Sequence, residues 1–149
     1  MLDLIADPVF KVYVGSTIIL AMNLMVLANN TALSRARASE VINPEDKKLN
    51  PKGTVVFEEG NEKTQRYQRA HRNALENVPL FIMTSLLLPL TGVSVGVAAG
   101  LCGIFALARI AHSFFYVRSI QPLRTASFGV GALTQVALLG VVAYKVFLG

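Results

Sequence analysis

The feature that most constrains this chain is a set of long runs without charge. Thr125 to Tyr144 is twenty residues with no Asp, Glu, Lys or Arg, and Val12 to Ala28 and Asn77 to Ala108 are two more such runs. About 20 predominantly apolar helical residues cross the hydrocarbon core of a bilayer. Backbone in that medium must satisfy its own hydrogen bonds, which a helix does within one segment. Composition agrees: 53% of the 149 residues are hydrophobic and 15% charged, against roughly 25% charged in soluble domains. The expected fold class is all-α, an integral membrane four-helix bundle formed by one domain over residues 1–149.

The middle run is long for one helix and short for two. "LPLTGVSVG", with Pro89 and Gly92, marks a break. Splitting there leaves roughly fifteen and sixteen uncharged residues, below the usual minimum of roughly 17. The second helix must therefore recruit Arg66 to Glu76, and the third Arg109 to Tyr116. The predicted spans are about 8–34, 66–90, 93–117 and 123–147. The N-terminus lacks a basic stretch ahead of its apolar part, so the first span reads as retained rather than as a cleaved signal.

Nine of the 14 Lys and Arg lie in residues 35–72, together with most of the carboxylates. This is a mixed-charge loop, not a basic tail, and no nucleic-acid signature accompanies it. With four spans, the loops after spans one and three share a membrane side. Their Lys and Arg place that side in the cytoplasm, in a bacterial inner membrane or the endoplasmic reticulum. Cys102 is the one cysteine, so the chain has no internal disulfide. No metal motif, nucleophile triad or phosphate loop is present.

Charge at membrane depth is expensive and should face a bundle interior or a water-filled cavity. Arg69, Arg72, Asn73 and Glu76 share one helix face by their spacing. So do Arg109, His112 and Tyr116, and likewise Arg124, Phe128, Gly131 and Gln135. These three polar stripes lie toward one membrane side and predict a pocket. Taken singly they have blander readings. Arg66 and Arg69 could snorkel to headgroups, Arg109 and Glu76 could form an intramembrane ion pair, His112 could be a core histidine and Tyr116 an interfacial anchor. Gly92, Gly96, Gly100 and Gly103 form a stripe that allows close helix approach, within this chain or with another.

A pocket with several guanidinium groups, a carboxylate, an amide and hydroxyls suits a small zwitterion with more than one carboxylate. Glutathione is eligible on those grounds, not unique.

Resemblance narrows the choice. "RAHRNALENVPLF" (69–81) resembles the signature of the MAPEG superfamily, the membrane-associated proteins in eicosanoid and glutathione metabolism. "SRARASEVINPED" (34–46), "RIAHSFFY" (109–116) and "PLRTASF" (122–128) resemble further family elements in the expected order. The branch it resembles holds the microsomal glutathione transferases and microsomal prostaglandin E synthase. The resemblance implies a homotrimer of four-helix bundles in membrane lipid, with glutathione as cofactor between subunits. Arg72, Asn73 and Glu76 would hold its γ-glutamyl end, with Arg69, His112 and Tyr116 beside them and Arg35 approaching a carboxylate across the interface. Arg124 would face the sulfur, helped by Thr125 or Ser127. The implied activity is conjugation of glutathione to a lipophilic electrophile, or reduction of a lipid hydroperoxide. The prostaglandin synthase pattern places Ser and Tyr where Thr125 and Phe128 stand, which favours conjugation over that isomerisation. The alternatives are that isomerase, a non-catalytic lipid-binding scaffold, and a small transporter.

Overall fold

The structure, a computed structural model, describes residues 4–56 and 60–149. The extreme N-terminus and residues 57–59, which belong to the expected first-span lead and charged loop, lie outside the described residues. Four helices dominate: α1 Pro8–Arg37, α2 Glu62–Ser85, α3 Val95–Val117 and α4 Gln121–Phe147. All four are long and apolar enough to cross a membrane.

Local chemistry sets the helix ends. Asp7 caps α1 by accepting from the Phe10 amide at 2.8 Å, with Pro8 in the first turn and Arg35 and Arg37 in the last. A carboxylate at the start and cations at the end both suit the helix dipole. Asn61 caps α2 through the Lys63 amide. The α2 helix starts at Glu62, four residues ahead of the predicted span, because that cap and the acidic first turn lie outside the apolar run. Pro79 sits inside α2 and leaves the Leu75 carbonyl without its usual amide partner. After Ser85 the chain passes through a 3-10 turn, Leu88–Leu90. Gly92 then adopts φ +65, a left-handed conformation that costs glycine little. Ser94 caps α3 at the Val97 amide, which sets its start at Val95 rather than 93. Pro122 opens α4 in its first turn.

The α3–α4 connection is a Schellman turn. The Ile120 amide donates to the Phe115 carbonyl, the Ser119 amide donates to that of Tyr116, and Ser119 sits at φ 63. The α1–α2 connection carries a short parallel ladder, β1 Glu40–Val41 with β2 Thr54–Val55. A 3-10 turn, Pro44–Lys48, lies between them.

Helix α3 is the hub, packing against α1, α2 and α4. The core runs through Leu20, Val78, Phe81, Cys102, Phe105 and Leu138. Phe81 and Phe105 stack in it, centroids 4.2 Å apart and planes at 4°. Ala70 and Ala74 of α2 meet Leu27 of α1 in a second cluster. Large apolar side chains such as Met22, Met25, Leu107, Leu133 and Val136 point outward. That surface suits lipid and partner helices rather than water. Gly96, Gly100 and Gly103 also face open space, with nothing within 4 Å of a built Cβ. The glycine stripe is therefore not used for packing inside this chain.

Candidate functional site

The three stripes do not converge into one pocket inside a single chain. Asn73, Arg109, His112, Tyr116, Arg124 and Phe128 form one connected cluster. Arg69, Arg72 and Glu76 stand apart from it.

The centre of the cluster is Arg109, expected on the polar stripe of the third helix with His112 and Tyr116, or in an ion pair with Glu76. It is 1% exposed. Its Nη2 donates to Asn73 Oδ1 at 3.2 Å. Its guanidinium carbon lies 5.9 Å from the Phe105 ring centroid and 5.3 Å from that of Phe128. Gly131 of α4 also lies beside it, a Cβ there standing in ordinary contact, 3.7 Å from the guanidinium. The Arg109–Glu76 pair is therefore not formed. Among the described residues the one ion pair is Arg66 with Glu62, within the first turns of α2. The signal for Arg109 was its position: it is the one charge within the otherwise apolar stretch from 77 to 117.

His112 is buried three residues on. Its Nδ1–H donates to the Arg124 carbonyl oxygen at 2.9 Å. A carbonyl only accepts, so a neutral His112 carries its proton on Nδ1 and leaves a lone pair on Nε2. Nε2 is itself buried and has no hydrogen-bond partner among the described residues. The ring meets Tyr116 edge-on at 5.6 Å and Phe128 at 5.7 Å.

Arg124, half-buried near the start of α4, lays its guanidinium 4.6 Å from the Tyr116 ring centroid and donates to Gln121. That contact is a cation–π geometry and fixes the guanidinium at the α3–α4 seam. Thr125 is exposed, with Gln121 Nε2 3.5 Å from its hydroxyl. Ser127 is buried and directs its hydroxyl at the Leu123 and Arg124 carbonyls, 2.7 and 3.0 Å away. Its single proton is thereby committed to the helix backbone.

On α2 the expected face turns outward. Arg69, Arg72 and Glu76 are exposed, and Arg69 reaches only its own Gln65 at 3.1 Å. The opposite side of the helix, carrying Ala70, Ala74, Val78 and Phe81, is the buried one. Arg35 lies elsewhere, in a small cavity with Glu40, Gly60, Thr64 and Gln68 where the charged loop meets the bundle. One further polar contact was not foreseen: Gln135 Nε2 donates to Thr84 Oγ1 at 3.2 Å in the bundle interior.

The Arg109 and Arg124 guanidinium groups thus belong to one cluster through Phe128, His112 and Tyr116, with no carboxylate bonded to either among the described residues. Four helices of membrane-spanning length and composition define an integral membrane protein. The chain belongs to the MAPEG family, whose model matches residues 13–144. It is 39% identical over 119 residues to microsomal glutathione S-transferase 1 of Rattus norvegicus, covering 78% of this chain and 76% of the relative. The protein of the same name from Mus musculus is 33% identical, covering 87% and 85%. That from Homo sapiens is 32% identical, covering 84% and 83%.

Proposed function

We propose that this protein is a membrane glutathione transferase, working as a trimer, that holds glutathione as thiolate for attack on lipophilic electrophiles. The observation that carries the reading is Arg124, held over Tyr116 beside His112 with no carboxylate bonded to it among the described residues. The names of the relatives support glutathione as co-substrate.

The chemistry follows from charge. A free thiol has a pKa of about 8.5, so only about 3% is ionised at pH 7. Lowering that by about two units takes about 2.7 kcal/mol. A guanidinium near sulfur, with water partly excluded, supplies an effect of that size. The thiol proton leaves to solvent. The sulfur lone pair forms a bond to an electrophilic carbon, and the leaving group departs with the bonding electrons. With a hydroperoxide, two glutathione molecules become the disulfide while the hydroperoxide becomes an alcohol and water.

The exposed face of α2 supports the trimer. Arg72 and Glu76 suit the carboxylate and ammonium of the γ-glutamyl end, but in one chain they face away from Arg124. A neighbouring subunit would close that face and make the site from two chains, with Arg35 reaching in from the loop side. The apolar co-substrate would then enter sideways from the bilayer, and glutathione from the cytoplasm.

The test is glutathione-dependent turnover of purified protein in detergent, on chlorodinitrobenzene and on cumene hydroperoxide. Turnover of the first supports the transferase reading, and of the second the peroxidase. Glutathione binding without either turnover would leave a lipid-binding scaffold instead.

A further inference from the structure

Arg109 is buried inside a membrane bundle, yet it bonds to an amide rather than a carboxylate. Arginine has five N–H donors and no acceptor. Its partner on Asn73 must therefore be the amide oxygen, which is the observed contact, Nη2 to Oδ1 at 3.2 Å. An amide fixed by its oxygen has its NH2 turned the other way. Asn73 is only partly buried, and it lies one residue from Arg72 and three from Glu76 on the outward face of α2.

We infer that Arg109 is a positioning residue: by holding Asn73 Oδ1, it directs the Asn73 amide N–H groups toward an acceptor oxygen at the γ-glutamyl end of glutathione. The inference rests on the glutathione-binding reading above. Without Arg109 the amide could rotate by half a turn about its last torsion and present oxygen to a ligand carboxylate, turning a donor into a repelling acceptor. The surroundings suit a fixed role. Phe105 and Phe128 flank the guanidinium, and the α4 backbone at Gly131 lies against it. Nη1 has no partner among the described residues, so the bond to Asn73 is the one side-chain hydrogen bond that holds the guanidinium there.

The experiment is a double-mutant cycle on the full chain in detergent, read by glutathione calorimetry and steady-state kinetics. Asn73→Ala and Arg109→Gln should each weaken glutathione binding about tenfold or more, a loss of about 1.4 kcal/mol. The double variant should bind within about twofold of Asn73→Ala, because the effect of Arg109 travels through Asn73. KM for glutathione should rise while kcat at saturation stays within about twofold, whereas damage to the fold would lower the active fraction and so kcat. An analogue lacking the γ-glutamyl carboxylate should be bound equally by wild type and Arg109→Gln. Asn73→Asp decides the matter should Arg109→Gln fail to fold. It would pair with Arg109 and raise the unfolding temperature while weakening glutathione about tenfold or more, since the amide donors are gone. Additive effects in the double variant, or wild-type affinity in Asn73→Asp, would overturn the inference while leaving the transferase reading intact. Failure of the wild type to bind glutathione would remove both.

Discussion

Residue by residue, the cluster separates groups by what they are free to do. Arg124 has a guanidinium held at a seam and, among the described residues, no bonded anion, so removing it should alter ionisation more than binding. In Arg124→Ala the pKa of bound glutathione should return to about 8.5, turnover at neutral pH should fall about tenfold or more, and raising the pH should restore part of it. Thiolate absorbance against pH in both proteins measures this, and an unchanged titration would take Arg124 out of the mechanism. Glu76 is the complementary case. It is exposed and Arg109 is bonded to Asn73, so Glu76→Gln should unfold at the wild-type temperature and bind glutathione about tenfold more weakly. A stability loss with normal affinity would mean that Glu76 is a structural partner. The sequence showed both residues, but not their settings. Spacing at i, i+3, i+4 and i+7 says which side chains share a face. It does not say which way the face turns. The turn of α2 is set by Ala70 and Ala74 packing on Leu27, and by Phe81 stacking on Phe105. Small residues at 70 and 74 were the legible sign of the packed side, and their spacing places Arg69, Arg72 and Glu76 away from it.

At the scale of the element, the turn between α3 and α4 places Arg124 beside Tyr116. Its hydrogen-bond pattern requires a left-handed residue at position 119, and the sequence supplies serine. A non-glycine residue there costs about 1–2 kcal/mol. Glycine removes that cost but adds about 0.5–1 kcal/mol of unfolded-chain entropy. Ser119→Gly should therefore stabilise the protein by a few tenths to about 1 kcal/mol and raise its unfolding temperature in detergent, with glutathione affinity unchanged. A lowered temperature would mean that the serine hydroxyl makes a contact of its own. The helices themselves were largely legible, because uncharged length and the Pro89–Gly92 break are written in residue types. Their ends were less so. Asn61 and Asp7 act as caps outside the apolar runs and Ser94 as one within the middle run, and hydrophobic length carries no information about caps.

For the whole molecule, the depth of the α2 charges is the physical argument for the proposed trimer. Glu76 lies 14 residues before Leu90, the end of the span, or about 21 Å at about 1.5 Å per residue. In a hydrocarbon core about 30 Å thick that is inside the membrane, toward the charged side. A charged side chain held there against lipid costs up to about 2.5–3.5 kcal/mol on insertion scales, and Arg72 stands one turn away on the same exposed face. Neither has an ion-pair partner among the described residues. A lone chain could lessen the cost by tilting or by thinning the bilayer, but the outward glycines at 96, 100 and 103 also lack any neighbour to approach. A second copy covering the α2 face answers the charge, and three copies around one axis give each face a cover. Mass measurement and cross-linking in mild detergent should therefore find a trimer. Within it Arg72 and Glu76 should be protected from water-borne modifying reagents, and bound glutathione should slow dissociation of the subunits, since a ligand held by two chains stabilises their contact. A monomer that binds glutathione with full affinity would show instead that one chain holds the whole site, and the outward face of α2 would then belong to lipid headgroups.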